Sequence, residues 1–246
     1  MPLDTMLLIA ACFALGGIVK GMTGAGAPIV AIPIIAGIYD VPFAVTLFAI
    51  PNLIPNIWQG WRYRAHRLPG SFVWVFALAG ALGVGIGTFL LVNLPSRILQ
   101  LMVAVAVLFY IAFRLRNAHW TLSRRVAGKL ALPLGALAGA LQGASGISAP
   151  ISITFLSAMR LERAQFVFAI AVFFASVAIV QIPLLALFGF MTTERLVLSF
   201  AALIPLMGAM PVGAWLVQHV SRNVFDKIIL GLLGMLAIKL IANAVV

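Results

Sequence analysis

Lys20 lies in an apolar N-terminal stretch, in the run Lys20-Gly21-Met22-Thr23-Gly24-Ala25-Gly26-Ala27-Pro28. A cation, a hydroxyl and a glycine-broken backbone at this spacing have the chemistry of an anion site. The ammonium supplies charge, the hydroxyl a donor, and the N–H groups opening the next helix, near Pro28, further donors. The pattern returns 122 residues later as Gln142-Gly143-Ala144-Ser145-Gly146-Ile147-Ser148-Ala149-Pro150, which offers an amide and two hydroxyls but no charge. Candidate ligand contacts are therefore Lys20, Gly21, Thr23, Gly24 and Gly26 at the first break and Gln142, Gly143, Ser145, Gly146 and Ser148 at the second. Other roles are open to them. Lys20 can snorkel to an interface or neutralise a helix C-terminus, and Thr23, Ser145 and Ser148 can bond to their own helix.

The elements that position these residues belong in a bilayer. The chain is 64% hydrophobic and 9% charged, with a mean hydropathy of +1.18, far from the quarter charged that is usual for a soluble domain. The expected class is an all-α polytopic membrane protein in contact with lipid. Leu3 to Val19 has no basic residue ahead of it and reads as retained structure rather than a signal peptide. The net charge of +11 is scattered between apolar spans, which points to membrane topology and not to nucleic acid. Cys12, the single cysteine, has no partner for a disulfide or a metal cluster, and no nucleotide, haem or metal motif is present, so no cofactor is expected.

Two apolar pieces, Leu3 to Val19 and Pro28 to Tyr39, flank the first break. Together they would run to roughly 55 Å as helix, too long for one crossing, while the second alone is too short for a crossing. A hairpin that enters and returns to its own side fits both lengths. Helical segments are expected next over Val41–Gly60, Ser71–Val92 and Arg97–Phe113. In the first of these Asn52, Asn56 and Gln59 share one face, which must look inward because amides facing lipid are costly, and the three join the candidate ligand contacts. In the second, Gly80, Gly83, Gly85 and Gly87 form a small-residue face for close helix approach. The second half repeats the order: a hairpin over Leu130–Met159, then Arg163–Phe188, Arg195–Gln218 and Val224–Val245.

At the offset of 122, Asp40 meets Glu162 and Gln59 meets Gln181, which adds Gln181 to the candidate site. At 128, Gly80-Ala81 and Val84-Gly85 meet Gly208-Ala209 and Val212-Gly213. The chain thus reads as a first membrane repeat over residues 1–113, a basic cytoplasmic linker over 114–129 and a second repeat over 130–246. If each break is a hairpin, the two repeats are inverted. The basic residues near 62–67, 114–129, 160–163 and 222–227 then gather in the cytoplasm, leaving only Arg97 and Arg195 outside. Both termini are expected outside, in the plasma (inner) membrane. Inverted repeats with broken helices are the architecture of secondary transporters.

The paired breaks, each followed by a short apolar helix and an acid-containing turn, and the basic loop after the third segment resemble the sulfite exporter TauE/SafE family over nearly the whole chain. The resemblance implies an integral-membrane transporter exporting sulfite, sulfoacetate or a related small anion. The first break departs from the family pattern in its alternating alanines, Gly24-Ala25-Gly26-Ala27, and the second in lacking a glycine run at Gly146-Ile147-Ser148. Two other readings compete. Gly143-Ala144-Ser145-Gly146 matches the nucleophile pattern of rhomboid-like intramembrane proteases, but His66, His119 and His219 are in polar loops or at a span end. An anion channel differs from a carrier chiefly in kinetics.

Overall fold

In a computed structural model of the chain the described residues are 3–116, 121–219 and positions 231, 234, 237, 238, 241 and 242. Among them every regular element is helical: α1 Leu3–Thr23, α2 Ala27–Ala36, α3 Val41–Arg62, α4 Phe72–Asn93, α5 Ser96–Arg116, α6 Arg124–Ser145, α7 Ser152–Ala158, α8 Arg163–Leu187 and α9 Thr193–His219, with a 3-10 turn at Arg64–His66. All but α2 and α7 are long and apolar enough to cross a membrane. The segment expected over Val224–Val245 lies outside the described residues apart from the single positions named, as do His119 and Trp120.

Both breaks are narrower than their sequence patterns. α1 runs on through Lys20 to Thr23, so the interruption is Gly24-Ala25-Gly26 and Lys20 stands on a helix. α6 likewise runs through Gln142 to Ser145. Each helix stops at the first glycine that turns left-handed, Gly24 at φ 80° and Gly146 at φ 73°. There the glycine N–H bonds back to the carbonyl four residues earlier, of Lys20 and Gln142 respectively, each at 2.7 Å. The second return helix begins at Ser152, not at Pro150. Both ends of the polar stretch 114–129 are helical, since α5 continues to Arg116 and Ser123, accepting from the Val126 N–H, starts α6 at Arg124.

Contacts along the helices give their directions. The Phe13 and Phe48 rings stack at 5.7 Å, and Lys20 meets Asn56 further along, so α1 and α3 run the same way and α2 returns between them. At the second break the Leu122 N–H bonds to the Ala158 carbonyl at 2.7 Å, tying the foot of α6 to the end of α7. Each broken pair is a hairpin whose return arm comes back to the end at which it began. Asp40 then starts α3, its carboxylate accepting from the Phe43 N–H at 2.6 Å. Pro51 inside α3 cannot donate to the Leu47 carbonyl. The Ser199 hydroxyl of α9 does so instead, at 2.9 Å, and accepts from the Ile50 N–H at 3.1 Å.

The closest packing joins one half of the chain to the other. A β-carbon on Gly139 of α6 would strike the Gly80 carbonyl of α4, one on Gly143 the Val84 carbonyl, and one on Gly87 the Ala140 carbonyl. Between α1 and α9 the same contacts recur as Gly17 on Leu206, Gly21 on Met210 and Gly213 on Ile18. A shift of 122 carries Gly139 and Gly143 back to Gly17 and Gly21, but a shift of 126, not 128, carries Gly80, Val84 and Gly87 to Leu206, Met210 and Gly213. The register expected for the later segments is therefore two residues out. Two positions turn a helix by roughly 200°, enough to exchange its faces. Gly85 shows why, for it matches Gly213 in type yet lies off the α4–α6 contact, where a β-carbon would reach only Leu184 at 3.9 Å.

Because backbone meets backbone at Gly139, Gly139→Leu should prevent α4 and α6 from closing and abolish the monodisperse peak in detergent size-exclusion chromatography. Gly128→Ala, on the exposed first turns of α6 with nothing within 4 Å, should instead raise the melting temperature, by up to about 1 kcal/mol of stability.

Candidate functional site

Lys20 is 3% exposed, one turn from the end of α1, and its Nζ donates to Asn56 Oδ1 at 2.7 Å. Asn56 in turn donates through Nδ2 to the Asn52 carbonyl at 2.5 Å and to Asn52 Oδ1 at 3.2 Å. Asn52, Asn56 and Gln59 are all buried, so the polar stripe of α3 does face inward, and it faces Lys20. Among the described residues the ammonium, with three N–H donors, has Asn56 as its hydrogen-bond partner and no carboxylate in ion-pair contact. Gln59, one turn beyond Asn56, is buried with its Oε1 unpartnered.

At the second break Gln142 takes the place of Lys20 and behaves differently. Its Nε2 donates to the Gly146 carbonyl at 2.8 Å, inside the break, and its Oε1 is unpartnered. Gln181 of α8 donates to the Gly143 carbonyl at 3.4 Å. No hydrogen bond among the described residues links one break to the other. The candidates therefore form two clusters: Lys20 with Asn52, Asn56 and Gln59, and Gln142 with Gln181, Gly143 and Gly146.

The hydroxyls have local work. Thr23 Oγ1 donates to the Val19 carbonyl at 2.8 Å, contacts the Ala25 carbonyl and accepts from the Ala25 N–H at 3.2 Å. Ser145 repeats each contact with Leu141 and Ile147. Both hydroxyls fasten the chain as it leaves the helix, the self-bonding role that the sequence left open. Ser148 shares a 3.1 Å hydrogen bond with Ser152, whose hydroxyl also lies 3.0 Å from the Ser148 carbonyl. The N–H groups of Ile151 and Ser152 bond back to that same carbonyl and are not free for a ligand. Gly24 and Gly26 hold left-handed turns, and Gly24 and Gly146 abut Val167 of α8 and Val45 of α3, the matching positions of the two halves.

Sequence reasoning placed Arg163 among loop charges, but its guanidinium reaches across the halves to the Gly21 and Met22 carbonyls at 3.4 and 3.3 Å. These are carbonyls of the last turn of α1, where a cation offsets the negative end of the helix dipole. Its position opening the segment after the second hairpin was the available clue. Thr88 of α4 is buried with an unpartnered hydroxyl, and Ser152 and Ser199 were also missed, since residue type alone does not mark which hydroxyl of an apolar helix is buried.

Ser145 has no histidine among its partners; His66 is exposed in the 3-10 turn, and His219 stacks on Trp215 at the end of α9. No three His, Cys, Asp or Glu gather as a metal site among the described residues. Because Thr23 holds backbone, Thr23→Val should cost about 1–3 kcal/mol of stability in thermal unfolding by leaving a part-buried N–H unpaired. Thr23→Ser should restore it, and transport by the folded fraction should be unchanged in both.

Among curated proteins and among solved structures nothing matches the chain. The family model described as "Sulfite exporter TauE/SafE" does match, over residues 8–240. That span takes in both hairpins, the Lys20–Asn56 pair and the interlocked helices, and the protein accordingly belongs to the sulfite exporter TauE/SafE family of membrane transporters.

Proposed function

We propose that the protein exports a small anion, sulfite or an organosulfur or other organic anion, by alternating access between two inverted halves. The observation that carries this reading is the buried Lys20 ammonium, met by the Asn56 amide and by no carboxylate among the described residues. A charge inside an apolar core is strongly penalised unless it is paired, and an anionic substrate is the pairing that a transporter can supply and release. Asn52, Asn56 and Gln59 would orient the anion from α3, with Gln142 and Gln181 facing it from the second half. The glycines and hydroxyls of the breaks shape the site rather than bind its ligand. Arg163 assists by offsetting the carbonyls at the end of α1, which would otherwise repel an anion next to Lys20.

The inverted arrangement is supported by direction. α1 runs with α3 and with α9, and α4 runs with α6, because the contacting pairs advance together along both chains. With each hairpin returning to its own side, α6 opposes α1. The halves then alternate by moving against each other, with the 114–129 stretch in the cytoplasm and both termini outside.

The described acids give little support to ion coupling by carboxylates. Asp40 caps α3, while Asp4, Glu162 and Glu194 are exposed at helix starts. An inside-negative potential alone drives an anion outward by about 2.3 kcal/mol per charge per 100 mV. Purified protein in liposomes should therefore pass anions under an imposed potential with neither a pH nor a sodium gradient, and zero flux would refute export of this kind. Thermal-shift binding across sulfite, sulfate, thiosulfate, sulfonates and small carboxylates should identify the anion, and Lys20→Met should weaken its binding roughly 10- to 100-fold. Unchanged binding would remove Lys20 from the site. Saturation and counter-transport would separate a carrier from a channel.

A further inference from the structure

A cleft of about 240 Å³ opens between α3, α4 and α8 on the outside of the bundle. Ile57, Gly60 and Trp61 of α3, Trp74 of α4, and Val172 and Ile179 of α8 line most of it. It lies against segments long and apolar enough to span the bilayer, and Ile57, Trp61, Trp74 and Ile179 are each at least half exposed. Its two polar liners present nothing to an occupant. Asn56 accepts from Lys20 and donates to Asn52, and the Ser176 hydroxyl is 2.9 Å from the Ala77 carbonyl and 2.8 Å from that of Phe173. The only other polar groups are the indole N–H donors of Trp61 and Trp74, so the lining is mainly hydrocarbon and suits an acyl chain better than a hydrated anion.

The chain that continues from the Trp61 wall has the opposite character. Arg62 is the last residue of α3, Arg64 and Arg67 follow within and just after the 3-10 turn, and all three are exposed. The Arg64 guanidinium stacks on the Trp61 ring, 4.5 Å from its centroid, and donates to the Trp61 carbonyl at 2.8 Å, which joins the basic cluster to the cleft wall. Among the described residues no carboxylate is in ion-pair contact with these arginines, the acid that opens the neighbouring helix α8 being the exposed Glu162. We infer that this cleft holds one anionic glycerophospholipid, an acyl chain lying between α3, α4 and α8 and the phosphate on Arg62, Arg64 and Arg67. Basic residues at the membrane end of an apolar cleft are the complement of such a lipid, and Trp61 and Trp74 flank its chain at interfacial depth.

The test uses full-length protein carrying Trp58→Phe, Trp120→Phe and Trp215→Phe, which leaves Trp61 and Trp74 as reporters. In phosphatidylcholine nanodiscs, a minor share of phosphatidylglycerol brominated along its acyl chains should quench their fluorescence more than the same share of brominated phosphatidylcholine. Each arginine replaced by glutamine should lower that preference by about fivefold, and Ala175→Leu, which fills the cleft, should remove the preference with the basic cluster intact, leaving only the equal quenching of the half-exposed indoles by bulk lipid. Equal quenching by the two lipids in the parent protein would overturn the inference. So would displacement of the brominated lipid by the soluble anions of the transport assay, since the cleft would then belong to the substrate.

Discussion

A backbone group released from a helix inside an apolar medium has to find its partner within the protein, and both broken hairpins are built around that demand. Where α1 and α6 stop, a left-handed glycine returns its N–H to the fourth carbonyl back. The hydroxyl of Thr23 or Ser145 ties the residue two positions on, Ala25 or Ile147, to the helix it has left. Arg163 covers two further carbonyls at the end of α1, and Ser199 replaces the donor that Pro51 lacks. Once these groups are satisfied locally, a chain can turn round within the thickness of a membrane. The consequence is functional as well as structural: the residue one turn before the stop, Lys20 in the first half, is held buried within the protein.

The halves are interlocked rather than merely adjacent. Gly17, Gly21 and Gly213 bring α1 and α9 into backbone contact, and Gly80, Gly87, Gly139 and Gly143 do the same for α4 and α6. Each hairpin helix is therefore gripped by the other half's partner helix, in the same pattern twice. Packing of this kind lacks a hydrophobic driving force in lipid and relies on shape, which is why single β-carbons matter at these positions. The pattern is equivalent at the two breaks, but the polar groups within it are not, since a lysine on one side answers a glutamine on the other.

Much of this was legible in the chain because membrane segments are constrained by length and polarity. The seven long helices among the described residues, the hairpins and the inward stripe of Asn52, Asn56 and Gln59 all follow from spacing and composition. The break boundaries and the later register were not. Several glycines occur in each break, and which one turns left-handed depends on the carbonyl its N–H can reach; Gly21 and Gly143 stay helical because another helix needs the space. The two-residue slip at Gly85 has the same origin, for residue type cannot distinguish a glycine that admits a backbone from one that does not.

The sequence by itself determined an all-helical membrane chain with two like breaks and a cation at only one of them, because apolar length, glycine placement and charge are properties of residues in order. Only the tertiary structure decided what faces the cation, that Asn56 meets Lys20, that Arg163 crosses to the end of α1, and that Thr23 and Ser145 are fasteners of the backbone. These are relations between residues as much as 142 positions apart. They depend on helix rotation and crossing, which close backbone contact sets and local spacing does not.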